Sequence, residues 1–388
     1  MNRLFYLSLC NCDPPPAAFE LDDGRNSSVV NLNLKAACHQ GFIDLNALVP
    51  KTNPFFDELS EKLTDDEEFR FKPPGLANDA EAKKGLSWRY GRIIARGILD
   101  QHFGYRWFPR IENLMKSPMN GWRAEKKGKG DTPDWLATKR GDAAVAEAKG
   151  VSRTITPKSK VLTKWRTQVQ NVRIFKGSEL RKVGGWIVAP RWVMAGERNK
   201  PVLYIEDPDT DGEREILGDE LESIELLAGQ VHTAQNLTRL GERLLAQKVM
   251  AESGIGERMP RASVLLWRCL VPSLERLRFM GRMICEPNAC MPLPYQFLLG
   301  SMPLDEYRKL VERYLPLFLR ESQRGMIFDG LELRVLKEFL HGSIPPRYDG
   351  DGDAPTLELD RWEDVSLLSD GSLLAPAELM VPDGYVEL

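Results

Sequence analysis

Residues Pro133-Asp134 are followed, after an interval of twelve residues, by Glu147-Ala148-Lys149. The tripeptide alone carries no information, since Glu81-Ala82-Lys83 repeats it with no Pro-Asp ahead of it. Spacing sets the second copy apart. If Arg140-Gly141 is a two-residue hairpin turn, Lys139 faces Asp142, and counting back along both strands sets Asp134 opposite Glu147. Directly opposed residues share a sheet face, with Cβ atoms about 4.5–5.5 Å apart. Lys149 lies two residues beyond Glu147 and points to the same face, because side chains alternate along a strand. Two carboxylates this close repel one another, and a hard divalent cation such as Mg²⁺ relieves the repulsion. A cation there would keep waters, hold a phosphate oxygen and acidify an attacking water, with Lys149 orienting that water or stabilising developing charge. That apparatus is suited to phosphodiester hydrolysis. The competing reading is a plain salt bridge, Lys149 neutralising Glu147 at a strand end; a net-negative trio is a poor device for stability alone.

The elements that must position these residues are legible around them. Leu86, Tyr90, Ile94, Gly97 and Ile98 recur at helical spacing, with Arg89, Arg92, Arg96 and Asp100 along another face, so residues from Lys83 to Phe103-Gly104 are expected to be helical. Residues 105–114 read as a strand, 116–130 as a basic Gly-rich loop, 134–139 and 142–149 as the hairpin strands, 161–175 as a helix and 186–194 as an apolar strand. The order is helix, three strands, helix, strand. Upstream, residues 4–10 read as a buried strand in an N-terminal region, 1–80, whose chemistry is opaque. Downstream, 202–205 reads as a strand and 207–213 as an acidic turn. Residues 217–252, 262–284 and 304–320 carry helical patterns, and the tail from Asp349 is acidic. The expected division is 1–80, a core at 81–200, and a mainly helical acidic region at 201–388.

Pro133-Asp134, Glu147-Ala148-Lys149 and this order of elements resemble the PD-(D/E)XK nuclease superfamily, the restriction-endonuclease-like fold, over roughly residues 85–195. The resemblance implies an α/β chain, more narrowly an α+β mixed sheet with an αβββαβ core. It implies Asp134 and Glu147 as metal ligands, the Ala148 carbonyl as a further ligand and Lys149 as the catalytic lysine. Many members add an acidic residue from the first helix, where Asp100 is best placed and Glu112 on the first strand competes. Some carry a Gln followed by a Tyr one turn later. Gln168 and Gln170 stand at that place, with Gln168 the site-facing choice, but the residues one turn on are Val172 and Ile174. Mg²⁺ is the implied cofactor, with Mn²⁺ able to substitute.

Charge supports a polyanionic partner. The chain carries 53 Lys+Arg and 56 Asp+Glu for a net −3, yet residues 81–200 hold 27 basic against 10 acidic, a local +17. Arg89, Arg92 and Arg96 on the first helix, Lys126, Lys127 and Lys129 in the loop, and Arg153, Lys158, Lys160, Lys164 and Arg166 after the hairpin flank the site and are expected to meet phosphates without reading sequence. Trp107, Trp122, Trp135 and Trp165 offer either stacking platforms or core. The expected function is a Mg²⁺-dependent nuclease acting on DNA, RNA being the other substrate, in the setting of a bacterial defence or restriction effector. The alternatives are a catalytically silent nucleic-acid-binding or scaffold subunit and a secreted antibacterial toxin nuclease. The acidic C-terminal region is the expected surface for a protein partner or a second copy.

Other chemistries lack support. No apolar run reaches the roughly 18 residues that cross a bilayer. Six cysteines in a chain of 388 make no disulfide scaffold, so a reducing cytoplasm is expected. Cys10-x-Cys12 with Cys38-His39 has zinc ligand types at the wrong spacing. Four histidines give no triad, and Gly254-Ile255-Gly256 is too short for a phosphate loop.

Overall fold

The computed structural model describes residues 1–12, 16–20, 27–45, 54–156, 159–212, 214–251, 259–284, 326–346 and 365–388. It divides into two compact units, the first comprising 1–46, 55–260 and 335–346, the second 47–54, 261–334 and 347–388. The first holds two sheets with helices, the second an antiparallel sheet, and the chain as a whole is mixed α/β.

The first unit runs β1 (Asn2–Cys10), β2 (Val29–Asn33), α1 (Leu34–Asp44), α2 (Pro54–Lys62), α3 (Ala80–Gln101), α4 (Ile111–Lys116), β3 (Trp122–Lys126), β4 (Trp135–Lys139) and β5 (Asp142–Ala148). It continues with α5 (Lys160–Val169), β6 (Val172–Lys176), β7 (Glu179–Lys182), β8 (Gly184–Pro190), β9 (Val202–Glu206), β10 (Arg214–Glu215), α6 (Asp219–Leu240) and α7 (Arg243–Val249). Its six-stranded sheet has the order β2-β1-β9-β8-β5-β4. The β1/β9 and β5/β8 pairs are parallel and the remaining pairs antiparallel. A smaller sheet, β10-β7-β6-β3, stands beside it.

The N-terminal region is therefore no separate domain: β1 lies within the main sheet and α1 packs on α3. The two helices cross at glycines, a Cβ on Gly97 falling 2.6 Å from that of Ala37 and one on Gly41 2.2 Å from an Ile93 side-chain carbon. Helix α3 starts where Asp79 caps it, its carboxylate accepting the Ala82 N–H at 2.7 Å. The hairpin closes through Gly141, whose φ of +78° is the left-handed conformation such a turn requires.

Three expected elements around the hairpin differ. Within residues 105–114 only Trp107 and Arg110 bridge to β4, and Ile111 opens helix α4, because Pro109 has no N–H to extend a ladder. The loop at 116–130 contains β3, paired with β6. The helix expected over 161–175 ends at Val169, and Val172 and Ile174 alternate into β6; over so short a run their period of two is hard to tell from a helical one. Asn171, at that reversal, ties down the basic loop by accepting the Gly128 N–H at 2.9 Å and donating to the Asp131 carbonyl at 3.0 Å.

Among its described residues the C-terminal region is as much strand as helix. The second unit is a six-stranded antiparallel sheet of β11 (Ser263–Cys269), β12 (Arg278–Ile284), β13 (Ile327–Glu332), β14 (Ser366–Leu367), β15 (Ser372–Pro376) and β16 (Met380–Glu387), in the order β14-β15-β13-β12-β11-β16. Helix α8 (Leu333–Leu340) follows β13 and returns the chain to the first unit, where Phe339 packs edge-on against Trp107. The helix expected over 262–284 is thus two strands, since Pro272 would occupy its interior. Trp267, Cys269, Phe279, Phe328 and Leu373 form the core. The pattern over 217–252 becomes α6 and α7, broken where Gly241 turns to φ +93°. Residues 304–320, Cys285 and Cys290, Gly254-Ile255-Gly256 and Lys158 lie outside the described residues. No described helix is long and apolar enough to cross a membrane.

Candidate functional site

The β4–β5 register pairs Lys139 with Asp142 and Trp135 with Ala146, so one step further brings Asp134 level with Glu147. The Asp134 N–H donates to the Ala146 carbonyl at 3.0 Å, continuing the ladder. Lys149 donates its N–H to the Val188 carbonyl at 3.0 Å, so the N–H and C=O of Ala148 face the opposite edge. There the Ala148 N–H reaches Asp134 Oδ2 at 2.8 Å. Lys149 Nζ pairs with Glu147 Oε1. The expected trio is brought together at one end of the hairpin.

Glu147 is 2% exposed, and its Oε2 is buried with no hydrogen-bond partner among the described residues. Burial pushes its carboxyl up to about 8, with the neighbouring Asp134 adding to the effect and Lys149 opposing it. Asp134 is likewise raised by burial, against the pull of Arg92. An unpartnered buried acceptor is costly unless a proton or cation satisfies it.

Residues from outside the motif complete the cluster. Asp44, the last residue of α1, is buried and accepts Arg92 Nε at 2.8 Å, Arg92 Nη2 at 3.2 Å and Trp135 Nε1 at 2.8 Å. Arg92 also donates Nη1 to Asp134 Oδ1, and Arg110 Nε lies 3.6 Å from Asp44 Oδ1 while its Nη2 donates to the Asp44 carbonyl. Burial alone would raise the Asp44 carboxyl, but Arg92, with Arg96 and Arg110, holds it below the usual carboxylate range. By formal charge the site pairs the acids Asp44, Asp134 and Glu147 with the cations Arg92, Arg110 and Lys149, so the acids of the motif do not stand alone. Asp44 and Arg110 carried no sequence signal, their partners being remote along the chain.

Helix α3 is held against the hairpin end by close backbone contact. A Cβ on Gly91 would lie 2.7 Å from the Gly150 nitrogen, and Ser87 Oγ donates to the Gly150 carbonyl at 2.9 Å. On the other sheet face, Glu147, Ile187 and Glu206 stand in one row across β5, β8 and β9. Helix α5 covers that row: Arg166 Nε donates to the buried Glu206 at 2.5 Å. Gln168 is buried on the same helix, with Oε1 unpartnered among the described residues.

The other expected residues divide. Asp100 lies in the last turn of α3, about 12 Å along the axis from Arg92, so the α3 side chain at Asp134 is an arginine where an acid was expected. Glu112 is exposed in the first turn of α4. Arg92 and Arg96 are buried and not available to phosphates, because α3 is enclosed between α1 and the sheet. Arg89 pairs with Glu58 at 2.7 Å, and Lys127 with Asp211 at 2.7 Å. Lys126, Lys129, Arg153 and Lys164 are exposed. Trp107, Trp122, Trp135 and Trp165 are all buried and serve as core.

The donor set fits a hard cation in part. Among the described residues no three His, Cys, Asp or Glu side chains gather for a metal, so the candidates are the two carboxylates and the Ala148 carbonyl, a set that Mg²⁺ characteristically completes with water. Among the described residues Glu147 Oε2 has no partner, whereas Asp134 Oδ1 accepts from Arg92 and Asp134 Oδ2 from the Ala148 N–H. A cavity of about 440 Å³ opens at the other end of the hairpin, beside Gly141 and Asp142, and contains none of these groups.

No family model, curated protein or solved structure matches the chain.

Proposed function

We propose that this protein is a Mg²⁺-dependent nuclease that hydrolyses phosphodiester bonds in DNA, with Asp134 and Glu147 holding the cation and Lys149 acting on the attacking water. The observation that carries the reading is the convergence of Asp134, Glu147 and Lys149 at one hairpin end, with Glu147 Oε2 buried and without a partner among the described residues. Mg²⁺ bound there would supply Lewis acidity to a phosphate oxygen and its water. The chain's own residues do the rest. The Ala148 N–H fixes the Asp134 carboxylate, Lys149 stands ready to orient water or offset charge on the phosphate, and exposed Lys126, Lys129, Arg153 and Lys164 attract the backbone. The proposed setting is a cytoplasmic defence or restriction effector, with Mn²⁺ replacing Mg²⁺ and a protein partner or second copy engaged elsewhere on the chain. Incubating the protein with plasmid, linear and single-stranded DNA, with and without Mg²⁺, tests it.

One observation favours a second reading. The Arg92–Asp134 pair balances the cluster without any metal, as a nucleic-acid-binding or scaffold subunit without activity would require. The two differ in whether Mg²⁺ changes the substrate.

A further inference from the structure

The described tryptophans named above are core, but Trp88, which sequence patterning did not single out, is 55% exposed. It stands on α3 directly beside the site. The Arg92 guanidinium, which donates to Asp134, lies 5.5 Å from the Trp88 ring centroid. The preceding residue, Ser87, is hydrogen-bonded to Gly150, the neighbour of Lys149. Lys84, Trp88 and Arg92 follow one another at intervals of four along one helix face, with Lys84 exposed and Arg92 buried at the carboxylates. A cation, an exposed indole and the hairpin end therefore succeed one another in the order that a strand would meet them.

An exposed indole costs solvation without helping to pack the core, and exposed tryptophans beside basic side chains are what successive bases stack on. A base inside a duplex has both faces covered by its neighbours; only an unpaired or extruded base presents one. Resting on the nuclease reading above, we propose that Trp88 is a stacking platform for an unpaired nucleobase beside the hairpin end that carries Asp134 and Glu147, so that the substrate at this site is single-stranded or locally opened nucleic acid.

The test uses the full chain without divalent cation, so that binding is read apart from cleavage. Fluorescence anisotropy is recorded with a labelled twelve-nucleotide thymidine strand, an abasic strand of equal length and a twelve-base-pair duplex, for wild type, Trp88→Ala and Trp88→Phe. The expected result is about fivefold or greater loss of affinity for the thymidine strand in Trp88→Ala. Trp88→Phe should retain most of it, the salt dependence should not change because no charge is lost, and the abasic strand and duplex should be unaffected. Trp88→Ala within twofold of wild type on the thymidine strand overturns the proposal, as does equal loss on all three probes. Wild type that fails to bind any probe overturns it together with the nuclease reading. Binding that depends on Trp88 without cleavage on adding Mg²⁺ supports the platform and sinks the nuclease reading alone. Melting temperatures of both variants, expected to equal wild type at so exposed a position, exclude misfolding as the cause.

Discussion

Replacing Asp44 with alanine removes the group on which the site's geometry depends. Its carboxylate is buried and accepts Arg92 twice and Trp135 once, with Arg110 close by. Deleting one member of a buried ion pair leaves the other charge uncompensated, typically at a cost of about 3–5 kcal/mol. Arg92 retains Asp134 as a second partner, which places the effect toward the lower end. For a unit of this size each kcal/mol shifts the midpoint by about 2–4 °C, so a fall of roughly 6–12 °C is expected in its thermal transition. Asp44→Asn keeps an acceptor for the Trp135 indole but loses the charge, and should recover only part of the loss. Burial raises the Asp44 carboxyl and the arginines outweigh it, so its folded pKa lies below the unfolded one. Its contribution is therefore complete above about pH 4 and disappears as the pH falls through the lower folded value. Calorimetry or circular dichroism on both variants at pH 7 and pH 3.5 should show the gap between wild type and variants starting to narrow at pH 3.5, where the unfolded carboxyl has begun to protonate and the folded one is still ionised. A loss under about 1 kcal/mol at pH 7, or a difference that persists undiminished in acid, would refute the assignment of Asp44 as the anchor of Arg92.

Gly91→Ala puts a methyl 2.7 Å from the Gly150 backbone, which cannot swing aside as a side chain would; a cost of about 1–3 kcal/mol and slower cleavage are expected, read by melting temperature and turnover. Burial, then Asp134, raises the Glu147 carboxyl to about 8, above its value in the unfolded chain. The folded state thus holds the extra proton, and metal-free stability should decline from about pH 4.5 towards pH 8, a slope that Glu147→Gln should flatten in a series of melting curves. Reversing exposed Lys126 and Lys129 to Glu should weaken DNA binding irrespective of sequence and reduce its salt dependence in anisotropy titrations, while Lys127, already paired with Asp211, should matter less.

Much of the site is written in local spacing. The positions of Asp134, Glu147 and Lys149 follow from counting outward from the Arg140-Gly141 turn, because strand alternation and hairpin register are local rules. Asp44 and Arg110 obey no such rule; they arrive through the packing of α1 on α3 and of residues 105–110 on β4. Arg92 and Arg96 illustrate the same limit from the other side. A run of arginines on a helix reads as a charged surface until its buried acceptor is known, and that acceptor lies in the segment whose chemistry the sequence left opaque. The strands at 263–284 were obscured by leucine and arginine content that favours helix in isolation, and tertiary pairing with β13 and β16 decides otherwise. Trp88 on α3 is exposed while Trp165 on α5 is buried, a difference that periodicity alone did not reveal.

Cleavage by Lys149→Ala and Asp134→Asn, followed beside wild type on labelled single-stranded and duplex DNA with 5 mM Mg²⁺ or EDTA (about millimolar metal being ample for a site of this class), tests the central claim most directly. Wild type should cut only with Mg²⁺, and both variants should bind DNA, melt as cooperative folded proteins and leave it intact. Folded Lys149→Ala cutting at the wild-type rate, or wild type that binds DNA and never cuts it, would contradict the account.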